Sequence, residues 1–144
     1  MTTVSQILQV KGNKTWSVPP DTTVYDALKL MADHNLGAVL VIEGEMLKGI
    51  FSERDYARKV ILKGKTSKET LVEEIMTQEV VIVRPNQSIE ECMALMTNKR
   101  IRHLPVVEGG KLVGVISIGD VVKAIISEQE YTIHQLENYI TGGR

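Results

Sequence analysis

The sequence predicts an α+β (mixed α/β) fold of two repeats, each running strand-helix-strand-strand-helix, packed about a pseudo-twofold axis. Three observations predict it. First, an offset of 65 residues aligns 15–61 with 80–126 without a gap. Val18, Pro20, Leu30, Met31, Val41, Glu43, Gly44, Leu47, Gly49, Ser52 and Asp55 meet identical residues at Val83, Pro85, Leu95, Met96, Val106, Glu108, Gly109, Leu112, Gly114, Ser117 and Asp120. Second, the apolar pattern in each copy switches from a helical stripe to two short continuous runs. Third, each copy closes on the same corner: "GIFSERD" (49–55) and "GVISIGD" (114–120) keep a glycine, a serine and an aspartate in register. A repeat of this length is read before anything else, because it decides the fold.

The elements follow in order. Residues 15–18 and 80–83 are short extended pieces that end near a proline. Val24, Ala27, Leu28 and Met31 then fall at i, i+3, i+4 and i+7, and Ile89, Cys92, Met93 and Met96 repeat that stripe, so each marks a helix. Thr23 with Asp26, and Ser88 with Glu91, read as capping boxes that start these helices. Strands are expected at 38–42 and 104–107. The glycine turns at 43–45 and 108–110 lead to second strands at 47–51 and 112–116. A second helix begins near Ser52 and near Ser117. The expected boundaries are repeat 1 at 4–62, a polar, lysine-rich linker loop at 63–71, repeat 2 at 72–127, and a C-terminal helix and tail at 128–144. One unit of this size has too little core to be secure alone. Two units packed together would bury each other's sheets and leave a cleft where equivalent corners meet.

Composition narrows the function. The chain has 144 residues, 43% hydrophobic and 24% charged, and 17 basic against 18 acidic residues give a net charge of −1. That balance offers no polyanion-binding surface as a whole, so nucleic acid is not the expected partner. A single cysteine, Cys92, excludes an internal disulfide framework and a multi-cysteine metal site. The longest apolar run, 38–42, is far too short to cross a bilayer, and the N-terminus lacks the pattern of a signal peptide. A soluble cytoplasmic protein without a membrane association is expected. His34, His103 and His134 have no metal-ligand spacing, and the sequence holds neither a phosphate-binding glycine loop nor a nucleophile elbow. No catalytic residue, catalytic cofactor or metal site is expected, and the protein reads as a non-enzyme.

The doubled corner, "IMT" (75–77) before the second copy and "RHLPVV" (102–107) within it resemble the CBS domain, named for cystathionine β-synthase. Two copies in tandem resemble a CBS pair, or Bateman module, here standing alone. The resemblance spans nearly the whole chain. It implies a regulatory module whose cleft binds an adenine nucleotide: AMP, ADP, ATP or NAD.

That resemblance gives the corners two readings. Ser52 and Ser117 can be helix N-caps, with Asp55 and Asp120 as the carboxylates of capping boxes. By resemblance, Asp55 and Asp120 would grip ribose hydroxyls, with Ser52 and Ser117 beside them, since a carboxylate accepts from both hydroxyls. The two roles are compatible. Arg102 and His103 are an exposed basic pair in one reading and phosphate ligands in the other, the fork of arginine matching phosphate oxygens. The first repeat has Gly37 and Ala38 in their place, which predicts an unsymmetrical site. Arg54 and Arg58 either reach phosphate or face solvent. Trp16 stands where such pairs line the adenine pocket, or serves a core or a dimer. Thr77 is a further candidate. Val39, Leu40, Leu104 and Pro105 would supply apolar pocket walls. The stripe of Ile126, Ile133, Leu136 and Ile140 packs on its own chain or meets a partner. A homodimer is expected, through helix faces carrying Ala27, Met31, Cys92 and Met96 and the stripes after the corners, together with an unidentified regulated protein. The alternative function is a structural or dimerising module whose sites stay empty.

Overall fold

The protein is described from a computed structural model over residues 2–141; the last three residues of the expected tail lie outside the described residues. In chain order the elements are α1 (Val4–Lys11), β1 (Ser17–Val18), α2 (Val24–Asp33), β2 (Ala38–Glu43), β3 (Met46–Ser52), α3 (Glu53–Asp55), α4 (Val72–Ile75), α5 (Ile89–Lys99), β4 (His103–Glu108), β5 (Lys111–Ser117) and α6 (Ile118–Ile140). A π-turn over Tyr56–Val60 and a 3-10 turn over Ile61–Lys63 follow α3. The mixed α/β architecture is the expected one. Its grouping is not simply that of the sequence repeats. One compact unit holds Lys14–Val81, whereas the other joins the residues before Lys14 to those from Ile82 onward.

In the unit of Lys14–Val81 the sheet order is β1-β2-β3, with β1 parallel to β2 and β2 antiparallel to β3. α2 turns Val24, Ala27 and Met31 into the core, as the stripe predicts, against Val39, Val41 and Phe51. The chain after the linker returns along β3: Thr77 and Ile50 exchange backbone hydrogen bonds at 3.0 and 2.9 Å. That approach requires Gly49. A Cβ there would stand 2.7 Å from the Met76 sulfur and 2.7 Å from the Thr77 carbonyl oxygen. The linker is mostly exposed, but Thr70 is buried and its carbonyl accepts the Val24 N–H at 2.8 Å. The reciprocal bond runs from Val72 N–H to the Thr22 carbonyl, also 2.8 Å. The first turns of α2 and α4 are thereby joined, and orphan donors at both helix starts are satisfied.

The other unit repeats this arrangement with α1 in the place of α4. Val4 N–H donates to the Gln87 carbonyl at 2.9 Å, and Ile89 N–H to the Thr2 carbonyl at 3.1 Å. Leu8 packs where a Cβ on Gly114 would sit, 2.7 Å from one of its methyl carbons. β4 and β5 pair antiparallel with the same register irregularity found between β2 and β3, at the equivalent step.

Several expectations are corrected. The 80–83 piece forms no strand, only a single parallel bridge from Val83 to Val106. Just before β1 the Trp16 carbonyl accepts the Leu40 N–H at 3.1 Å. The residue equivalent to Leu40 is Pro105, which has no N–H to give. Ser88 and Glu91 form a complete capping box, but Thr23 supplies only the half that accepts from Asp26 N–H. Ala27, Met31, Cys92 and Met96, expected on a dimer face, are already buried within the chain. The second helix of repeat 2 and the expected C-terminal helix are one continuous element, α6.

Candidate functional site

Each corner is built by a hairpin register and a helix start. Ser52 pairs with Ala38 and Ser117 with His103 across the hairpins. Each serine then caps a helix. The first helical N–H donates to the carbonyl of the residue before the strand: Glu53 to Gly37 at 3.1 Å, Ile118 to Arg102 at 2.9 Å. Gly37, Ala38, Ser52 and Asp55 are therefore brought together at one corner, and Arg102, His103, Ser117 and Asp120 at the other. Both capping boxes form in full.

The carboxylates differ in what else holds them. Asp55 Oδ2 accepts from the Ser52 N–H at 3.0 Å and the Ser52 hydroxyl at 3.1 Å. Its Oδ1 accepts from the Thr77 hydroxyl at 3.1 Å and lies 3.1 Å from Lys59 Nζ. Asp120 Oδ2 accepts from the Ser117 N–H at 2.8 Å and from Lys11 Nζ at 2.6 Å. Lys11 also donates to the Val115 carbonyl at 2.7 Å, holding the edge of β5 that Thr77 holds on β3. The Asp55 side chain is 9% exposed and that of Asp120 24%, so the second corner is the more open. Burial pushes the Asp120 carboxyl upward, but the hydrogen bonds from Lys11 and Ser117 and the Lys11 charge outweigh it and hold it below its ordinary value.

Other candidates are placed differently. Arg54, Arg58 and Arg102 are exposed, and His103 is half-buried. Trp16 is half-buried between His34, whose ring stacks on it at 3.7 Å between centroids, and Lys14, 4.5 Å from the ring centre. Val39, Leu40, Leu104 and Pro105, expected as pocket walls, are buried. Sequence reasoning missed Lys59 and Lys11. Lys59 carried a signal, an opposite charge four residues after Asp55. Lys11 carried none, because it lies 109 positions from its partner. Among the described residues no group of three or more His, Cys, Asp or Glu is placed to hold a metal ion, and no helix is long and apolar enough to cross a membrane.

Comparison with known proteins agrees with this fold. The model of the CBS domain matches residues 12–62 and 72–127. The chain is 43% identical to the mitochondrial CBS domain-containing protein CBSX3 of Arabidopsis thaliana, over 99% of this chain and 73% of that protein. Its fold matches a CBS-domain protein from Burkholderia ambifaria MC40-6 with a TM-score of 0.85 at 56% identity, covering 89% of this chain and 96% of that one. CBSX2, solved in complex with AMP, matches with a TM-score of 0.73 at 27% identity, over 88% and 98% of the two chains.

Proposed function

The chain belongs to the CBS-domain family, and on that premise we propose that it is a non-catalytic sensor that binds an adenosine-containing nucleotide at its strand-to-helix corners and signals to a partner protein. The observation that carries this reading is the pair of capped carboxylates, each fixed at a strand end by its own serine. A carboxylate whose direction is set in advance can accept both ribose hydroxyls without a further ordering cost. The Asp120 corner is the better equipped. Its carboxylate is more open than Asp55, and Arg102 and His103 stand beside it where Gly37 and Ala38 stand at the other. AMP, ADP or ATP would place phosphate toward Arg102 and His103. NAD would likewise place its pyrophosphate toward Arg102 and His103. Ser52, Asp55 and Thr77, with Arg54 and Arg58 nearby in sequence, form the secondary corner, and Trp16 is a candidate for base stacking. The AMP complex of CBSX2 supports an adenine nucleotide as the ligand class. A homodimer and a reducing compartment such as the cytoplasm complete the reading, the latter suited to the unpaired thiol of Cys92.

Calorimetric titration with AMP, ATP, NAD and S-adenosylmethionine tests it. Asp120→Ala should weaken the bound nucleotide at least tenfold, since hydrogen bonds to a charged group contribute about 1.5–3 kcal/mol each and about 1.4 kcal/mol is a factor of ten. Replacing Arg102 and His103 together by alanine should cost more for ATP than for adenosine. Equal losses would show that the basic pair does not read phosphate. A second reading, an interaction module without a nucleotide, is favoured by the own-chain donors that already occupy both carboxylates. No heat with any of the four ligands would select it.

A further inference from the structure

α6 carries a seam that its own unit does not use. Val121 is fully buried and Ile125 half-buried on the side that meets the body. Along another face, Val122, Ile126, Gln129, Ile133, Leu136 and Ile140 succeed one another at intervals of four, three, four, three and four residues. The five apolar members are between 41% and 81% exposed, and Gln129 is exposed as well. Alternating steps of three and four are the heptad of a two-stranded coiled coil. The a positions are Ile126, Ile133 and Ile140; the d positions are Val122, Gln129 and Leu136.

We propose that this seam is the contact surface for α6 of a second copy of the chain, paired parallel and in register. The residue types select that occupant. β-branched side chains at a, with leucine at d, favour two parallel strands over larger assemblies. Gln129 sets the register: in a parallel, in-register pair the two amides face each other and can exchange hydrogen bonds. An antiparallel pairing would set the amide against isoleucine, and a parallel one shifted by a heptad against valine or leucine, leaving it unsatisfied in both. The flanking charges do not oppose this. Lys123, Glu130 and Glu137 at the e positions face Ile125, Thr132 and Tyr139 at the g positions of a partner, so no like charges meet. A cavity of about 350 Å3 opens beside the seam, between the start of α5 and α6, lined by Ile89, Ile125, Thr132 and the seam residues Gln129 and Ile133 among others. It offers a recess to the partner's side chains.

Sedimentation of the full chain across a concentration range, paired with cross-linking, tests the proposal. The wild type should reach twice the 16.0 kDa chain mass, or a multiple of that dimer. Ile133→Lys combined with Leu136→Lys should halve the mass while leaving the circular dichroism spectrum and melting temperature near those of wild type, because both positions are exposed on their own chain. Ile133→Cys should form an intermolecular disulfide under mild oxidation, since in-register a positions approach within disulfide reach. Cys92 is buried and would not compete. A wild type that stays monomeric overturns the proposal. So does a double-lysine variant of unchanged mass, or a dimer that Ile133→Cys fails to cross-link.

Discussion

At one corner Asp55 is held by Lys59 and Thr77, both near it in sequence; at the other Asp120 is held by Lys11, which reaches it from the opposite end of the chain. The two units otherwise share their hairpin register, their capped carboxylates and a short helix docked on the sheet edge. They part where the docked helix ends. α4 stops at Ile75, so Thr77 is free to pair with Ile50 as backbone. α1 continues to Lys11, so its backbone stays helical and a side chain does the same work on Val115. The strand edge is closed by main chain at Ile50 and by a lysine side chain at Val115. The Asp120 carboxylate is also the more exposed of the two, which is why the second corner is the stronger candidate for a ligand.

The largest difference should appear at the glycines. Gly49→Ala meets a backbone carbonyl that cannot rotate away, whereas Gly114→Ala meets only the end of Leu8. The first should cost about 3 kcal/mol and the second about 1, within the range for overpacking. Urea titrations would measure both, and equal midpoints would mean that the two edges are closed alike.

Next in size is the loss of each carboxylate. Asp55→Ala strands Thr77 and Lys59 where a nearly buried carboxylate had paired them. Lys59 is 43% exposed and keeps much of its hydration, so the cost should be about 2 kcal/mol rather than the 3–5 of a fully buried pair. Asp120→Ala should cost about 1 kcal/mol, that of a lost hydrogen bond from the Ser117 N–H and a partly exposed ion pair. A reversed order in the same titrations would refute the contrast in burial.

A smaller effect concerns pH. The folded Asp120 carboxyl sits below its ordinary value of 3.8. Its stabilisation is therefore complete above that value and is lost as pH falls below about 4 through the folded value. Lys11→Met should flatten this part of the acid limb, while Lys59→Met, acting at the other corner, should leave it in place. Acid titration of tryptophan fluorescence would tell them apart.

The smallest is Cys92, whose counterpart is Ala27; both are fully buried. Cys92→Ala makes the second stripe match the first and should cost about 1 kcal/mol. In the folded protein, burial raises the thiol to about 11, with the Glu91 charge adding to it. It should resist a thiol reagent at pH 8 until denaturant is added, and rapid labelling of the native protein would contradict the packing.

Much of this was legible from sequence because it rests on local spacing. Hydroxyls three residues before carboxylates mark the helix starts at Ser52, Ser88 and Ser117, and hairpin register follows from short glycine turns between apolar runs. The helical stripes placed Ala27, Met31, Cys92 and Met96 on one apolar face, expected to meet a second copy, but only burial shows that the chain itself already covers it. The heptad seam of α6 is also written in the chain, yet its exposure is a tertiary fact. What no local pattern contains is partner choice between distant segments. α1 pairs with the start of α5, and α4 with the start of α2, through backbone hydrogen bonds that any residue but proline can donate. Lys11 reaches Asp120 only because that pairing carries it there. Pro105 shows the two levels meeting: its identity is sequence, but the missing strand at 80–83 follows only once the tertiary structure lays that segment against a residue with no N–H.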